Sequence, residues 1–150
     1  MPAILKGWCD RVLSEGFAHK PSENEWFDNG CMAGKRLLLN ITTNGRSSGY
    51  SQRGRHGSMN IILWPIMNAF WFSGFDVVKP FIAFNVTKTT DSRRKKLLDN
   101  AAKYALTINE AEILKVHKLE DYDINGQLKK NINPSTPGQQ QPDSLSISND

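Results

Sequence analysis

Apolar positions recur along the chain with two different periods, and the switches between them mark its elements. Residues 2 to about 14 carry Ile4, Leu5, Trp8 and Val12 on one stripe, with Lys6, Asp10 and Ser14 mostly off it. That spacing predicts an amphipathic helix, and Pro2 suits its first turn, where a missing N–H costs nothing. Residues 35–41 hold Leu37, Leu38, Leu39 and Ile41 with little alternation, the pattern of a parallel strand covered on both faces. Residues 59–71 predict an apolar helix that Pro65 should kink or divide. A second strand is expected over 77–86, with Pro80 moving it toward an edge or marking a bulge. A charged helix follows from 91 to about 106, with Leu97, Leu98, Ala101, Ala105 and Leu106 on its apolar side.

Between these elements lie two loops. The first, 19–34, is tipped by Trp26, Phe27 and Asp28-Asn29-Gly30; the second, 42–57, is polar and punctuated by Gly45, Gly49, Gly54 and Gly57. The order helix, strand, loop, helix, strand, helix predicts an α/β fold. Two strands are too few for a stable parallel sheet, and the helices' apolar faces lack partners within the chain. The physical reading is half of a domain, and a helix starting at the second residue points the same way. Beyond Asn125 the chain turns Asn-, Gln-, Ser- and Pro-rich, which buries too little apolar surface to offset ordering entropy. The expected organisation is a domain portion over 1–110 and a divergent, largely disordered tail over 111–150.

Composition narrows the class without deciding it. The chain is 39% hydrophobic and 23% charged with a formal charge of +4, ordinary for a globular protein. Its one basic run, Arg93 to Lys96, lacks the aromatics and breadth of a nucleic-acid footprint. The most apolar stretch, 59–75, contains Asn60, Pro65 and Asn68 and falls short of the roughly 20 residues a membrane span needs. No membrane and no nucleic-acid partner is expected. Cys9 and Cys31 have no CxxC spacing and read as reduced thiols of a cytoplasmic (cytosolic) protein.

Candidate chemistry concentrates in the polar loop after the first strand. Thr42-Thr43-Asn44-Gly45 stands at that strand's carboxyl end, where ligands collect in open α/β sheets. It is neither a Walker loop nor GxGxxG, and on pattern alone a ligand loop and a plain connector are both open. Tyr50 and His56 follow among glycines. A phenol and an imidazole there would stabilise negative charge on a bound ring, or would simply be a packed Tyr and a solvent His. Phe70, Trp71, Phe72 and Phe75 read as core. His117, between Lys115 and Lys118, reads as a surface residue without a nameable partner, and no metal-site spacing is present.

Several runs then resemble one family. Pro2-Ala3-Ile4-Leu5-Lys6-Gly7-Trp8, Asp10-Arg11-Val12, Gly16-Phe17-Ala18, Ile41-Thr42-Thr43-Asn44-Gly45, Tyr50, Gly54-Arg55-His56-Gly57, Met59-Asn60, Ile62-Leu63-Trp64-Pro65-Ile66 and Phe72-Ser73-Gly74-Phe75 resemble the NAD(P)H:quinone reductases, the DT-diaphorase family. The resemblance runs through about residues 2–100. It implies a flavodoxin-like parallel sheet with helices on both faces, of which the N-terminal half is absent here. It also implies an FAD-dependent homodimer, with sites across the interface, that moves hydride from NADH or NADPH to flavin and then to a quinone, in ping-pong order. An FMN-using relative is the less favoured variant, and a truncated, non-catalytic interaction fragment the alternative reading.

The resemblance further implies roles for single residues. Thr42, Thr43, Asn44 and Gly45 would line the flavin ring, and Tyr50 and His56 would stabilise charge on its reduced pyrimidine side. Val86 and Arg94 would lie near the adenosine part, and Phe72 would form part of the slot for nicotinamide and quinone. Departures accompany these roles. Asn44 replaces a usual glycine and should crowd the substrate face or take a positive φ. His19 stands at a substrate-pocket tyrosine position and Lys88 at a histidine position. Met67, Asn68 and Trp71 offer no histidine pair, so no metal is expected.

Overall fold

A computed structural model describes residues 1–139, which divide into a unit over Met1–Leu114 and a second one beginning at Lys115. The first unit is parallel α/β, as expected. Strand β1 (Arg36–Leu37) pairs with β3 (Asp76–Val77), and β2 (Asn40–Thr43) pairs with β4 (Phe81–Phe84), both parallel. The two expected strands are therefore each broken once. Leu37 pairs with Val77 and Asn40 with Phe81, so Leu38 and Leu39 face three residues, Val78, Lys79 and Pro80. Pro80 has no N–H to give the ladder; Val78 N–H donates to Leu37 O at 3.0 Å and Phe81 N–H to Leu39 O at 2.9 Å on either side of it. The extra residue is absorbed there, in the bulge-like manner the proline signalled.

Residues 112–114 line the other edge of β3. Val78 bridges Ile113 antiparallel, and Leu114 N–H donates to Val77 O at 2.8 Å. Val78 is in consequence fully buried. The stretch expected as tail thus begins with residues hydrogen-bonded into the sheet. The described part of the second unit is rich in turns, with Tyr122 bridging Leu128. Gln139 Nε2 donates to Tyr122 Oη at 3.0 Å, and burial raises that phenol above its usual range. The rest of the expected tail, from 140, lies outside the described residues.

Helix α1 (Ala3–Val12) carries an i,i+4 ion pair between Lys6 and Asp10. Its Trp8 stacks on Phe70 at 6.3 Å, while Ile4 is 86% exposed. Helix α2 (Met59–Phe72) supplies most of the core through Met59, Leu63, Met67, Phe70 and Trp71. Ser58 caps it by accepting from Asn60 N–H at 3.3 Å. The expected division at Pro65 does not occur: one helix runs through it, since the buried side chains on both sides hold the turn that the proline weakens. Helix α3 (Asp91–Leu106) matches its expected span. Thr90 Oγ1 accepts from Arg93 N–H at 3.3 Å, and Asp91 sits at the positive end of the dipole. Leu98 and Leu106 on its apolar side are 71% and 86% exposed.

The 19–34 loop is held against the end of α2. Phe27 takes φ +47, an unusual value for a bulky residue, and its ring meets Trp71 at 4.6 Å and Phe72 at 5.0 Å. Aromatic contacts of this kind contribute about 0.5–1.5 kcal/mol each beyond burial, enough to offset that strain. Glu25 accepts from the Cys31 thiol and pairs with Lys20 at 3.2 Å, and these two partners hold its carboxyl below the usual range. Burial, then Glu25, pushes the Cys31 thiol up.

Backbone crosses backbone where this loop meets the helix end. A Cβ on Gly30 would lie 2.4 Å from the Ser73 carbonyl carbon, and Met32 N–H donates to Ser73 O at 3.0 Å. Gly30→Ala should therefore destabilise the first unit by about 1–3 kcal/mol through overpacking. Chemical denaturation checks this; an unchanged midpoint would mean that the two segments do not cross as described.

Candidate functional site

The β2–β4 pairing fixes where the polar loop begins. Thr42 lies opposite Ala83 and Thr43 opposite Phe84. Successive residues of a strand face opposite ways, so the two threonines part company. Thr43 Oγ1 and Tyr50 Oη share a 2.7 Å hydrogen bond, and Gly45 N–H donates to Thr43 Oγ1 at 3.3 Å. Thr42 instead lines a groove of about 350 Å³ beside Val86, Arg94, Leu97 and Leu98.

The loop then folds back on itself. His56 N–H donates to Gly49 O at 3.0 Å, and the Tyr50 and His56 rings stack with centroids 4.7 Å apart. A Cβ on Gly54 would stand 2.3 Å from Gly49 O, and one on Gly45 would meet the Tyr50 ring at 2.7 Å. Glycine at these two positions is what lets the strands of the loop touch. Tyr50 is half-buried and His56 exposed. The phenol is held by Thr43, while the imidazole makes no hydrogen bond among the described residues. Such a pair offers an oriented hydroxyl and an exposed imidazole side by side.

Asn44 does not take the left-handed backbone that was one of its two expected consequences. Its φ is not positive, and its side-chain Oδ1 accepts from Thr87 Oγ1. The left-handed backbone falls on Asn85, φ +60, whose N–H donates to Gly45 O at 3.0 Å. Thr87, Asn85 and Phe84, 5.9 Å from the Tyr50 ring, were missed from the sequence. An Asn at the end of a strand is a signal for left-handed backbone, and the parallel register alone would have put Phe84 beside Thr43.

Arg94 clamps the turn after β4: Nε donates to Val86 O at 3.2 Å and Nη2 to Thr87 O at 3.4 Å, while Nη1 pairs with Asp91. Val86 and Arg94 therefore adjoin the loop through Thr87 and the Thr42 groove. His19 and Phe72 do not. Their rings meet edge-on at 4.8 Å and line a separate cavity of about 400 Å³ with Cys9, Leu13, Asn68 and Ser73. His19 Nδ1 is buried there without a hydrogen bond. No hydrogen bond or ring contact among the described residues joins this pair to the Thr43–His56 loop. No group of three or more His, Cys, Asp or Glu residues gathers as metal ligands among the described residues, and no described helix is long and apolar enough to cross a membrane.

The profile of the flavodoxin-like fold matches residues 1–108. The chain belongs to that family. It is 39% identical to NAD(P)H dehydrogenase (quinone) 1 of Rattus norvegicus across 88% of its own length and 49% of the relative's. It is 37% identical to ribosyldihydronicotinamide dehydrogenase (quinone) of Mus musculus across 75% of its length and 48% of that protein's. A solved structure from Klebsiella pneumoniae, assigned as a quinone reductase, superposes with TM-score 0.80 at 30% identity over 91% of this chain and 56% of that one. A more distant FMN-bound structure, general stress protein 14 of Treponema denticola, shares the fold at TM-score 0.55 and 22% identity over 73% of this chain and 57% of that one. The chain spans about half the length of the curated relatives it matches. The similarity to quinone reductases read from the motifs is thus met by comparison of whole sequences.

The phenol's anchor is directly testable. Tyr50→Phe keeps the ring stack but removes the bond to Thr43, and should lower stability by about 1 kcal/mol. Urea unfolding measures this; a cost indistinguishable from zero would mean that the hydroxyl is bonded to water instead.

Proposed function

We propose that this chain is the part of a flavin-dependent NAD(P)H:quinone oxidoreductase that presents a flavin ring to its substrates. The reading rests chiefly on the loop in which Thr43 holds Tyr50 and Tyr50 stacks on His56, within a chain whose relatives are named for that activity. The residues fit a flavin's polar edge. Glycines at 45, 49 and 54 let the loop pack closely around the Tyr50 and His56 rings, and the groove beyond Thr42 is open and apolar. The flavin, when bound, would supply hydride acceptance and return. Tyr50 would donate a hydrogen bond toward the ring's negative side, and His56, stacked on Tyr50 with its imidazole nitrogens making no hydrogen bond among the described residues, would hold the compensating proton. Arg94 and Val86 would face the adenosine part, which favours FAD over FMN, and the electron donor would be NADH or NADPH.

The separation of His19 and Phe72 from the loop supports a two-subunit site. In a homodimer, one subunit's Phe72 and His19 would cover the ring held by the partner's loop, closing the slot for nicotinamide and quinone. Exposed Ile4, Leu98 and Leu106 favour a second reading, a non-catalytic piece that pairs with a longer homologue. Cytosolic residence belongs to the proposal as well.

Two measurements test it. Titration of the chain, and of any longer natural form, with FAD and FMN should give a bound flavin spectrum; a longer form that stays colourless with both would sink the proposal. In the flavin-loaded protein, His56→Ala should slow flavin bleaching by NAD(P)H by about 10²-fold. An unchanged rate removes the role given to His56.

A further inference from the structure

The second unit contains three side chains that the proposed flavin site does not use. His117 was expected at the surface without a partner; it is buried and has two. Its Nε2 lies 2.8 Å from Ser135 Oγ, and its Nδ1 lies 3.6 Å from Asp121 Oδ2. The edge of the Tyr122 ring faces the imidazole at 6.2 Å. Asp121 is itself fixed, since its Oδ2 accepts from Lys118 N–H at 2.9 Å. Ser135 is exposed.

The order carboxylate, imidazole, hydroxyl decides the proton's place. A carboxylate on the Nδ1 side favours the Nδ1–H tautomer and stabilises an imidazolium formed later. Nε2 is then the acceptor, and Ser135 Oγ–H the donor, of the short bond. This is the arrangement that raises a hydroxyl's nucleophilicity. At 3.6 Å the carboxylate acts on His117 through charge more than through a hydrogen bond.

We propose that Ser135 is a reactive nucleophile that takes an acyl group from small activated esters, with His117 as its base. Oγ attacks the ester carbonyl carbon and its proton passes to Nε2. The new Oγ–C bond forms as the C–O bond to the leaving alcohol breaks, and Nε2 returns the proton to that oxygen. Water attacks the acyl-serine by the same route, releasing the acid. The second half is slow. Thr136 N–H, the backbone donor beside Ser135, is engaged by Gln139 Oε1 at 3.3 Å, and a missing oxyanion donor costs both halves about 10²–10³ in rate; the activated alcohol of the first half leaves far more readily than the serine oxygen of the second. The acyl-serine should accordingly accumulate.

The full chain treated with p-nitrophenyl acetate tests this by nitrophenol release and peptide mapping. The expected result is a stoichiometric burst, with acetyl on Ser135 in preference to the other exposed serines. Ser135→Ala should abolish the burst, and His117→Gln should slow it by at least about tenfold. In the unmodified chain the burst rate should rise with pH to a plateau, as a single general base requires, a readout that needs no variant to fold. A burst that survives Ser135→Ala, acetyl spread evenly over serines and lysines, or a rate that climbs with hydroxide without levelling would each overturn the proposal; a merely structural Ser–His bond predicts the last two.

Discussion

Everything that positions the candidate flavin loop follows from the parallel register of 36–43 against 76–84. Parallel pairing sets Thr43 beside Phe84 and Thr42 beside Ala83, and alternation then sends the two hydroxyls to opposite faces. One hydroxyl becomes the anchor of Tyr50; the other opens into the groove under α3. A slip of one residue would exchange them, leaving the phenol without its partner and the loop without its first turn. The extra residue absorbed at Val78–Pro80 is part of the same constraint. It corrects the register between the β1–β3 segment, where Val78 is buried, and the β2–β4 segment, where the loop starts.

Element types were legible where the pattern was long. The α3 span needs only Thr90 and Asp91 as a start signal and an apolar side ending at Leu106, all local in the sequence. The strands were legible as strands but not as broken ones, because the break is a property of two chains in register: Leu38 and Leu39 give no sign that three residues oppose them. Pro65 misled for a related reason. A proline's penalty of about 3 kcal/mol is an isolated-helix figure, and Leu63, Met67, Phe70 and Trp71 are buried on the same helix. Tertiary packing outweighs the local cost.

The site was legible to a different depth. Residue types and glycine spacing left Tyr50 and His56 open between a functional pair and a packed Tyr with a solvent His; resemblance to a family, not spacing, tilted that choice. Geometry adds what neither source contained, the 2.7 Å bond to Thr43 and the stack on His56. Asn44 shows the limit of reasoning from substitution alone. Replacing glycine suggested crowding or a strained φ, yet the side chain found Thr87 across the turn, an acceptor–donor pairing that depends on where Asn85 puts the backbone. His117 shows the same limit: flanking lysines made it look solvated, whereas Ser135 and Asp121 close around it from residues that composition had assigned to a tail.

The first unit also leaves large apolar side chains uncovered. Ile4, Leu98 and Leu106 are each more than two-thirds exposed, and burying such side chains is worth about 1.5–3 kcal/mol apiece. Three of them amount to a large part of the 5–15 kcal/mol that holds a whole domain together. Covering these faces would therefore matter as much to the unit's stability as any interior contact it makes. These three residues lie on α1 and α3, whereas α2, apart from Ile62 at 44% exposed, supplies most of the buried core, so the core is built around one helix and the other two each leave an apolar side uncovered. The Thr42 groove, bounded by α3, lies along one of those faces. A partner that covered α3 would lie beside that groove, so a ligand bound in the groove and the covering of α3 would be thermodynamically linked, each changing the other's affinity by the same factor.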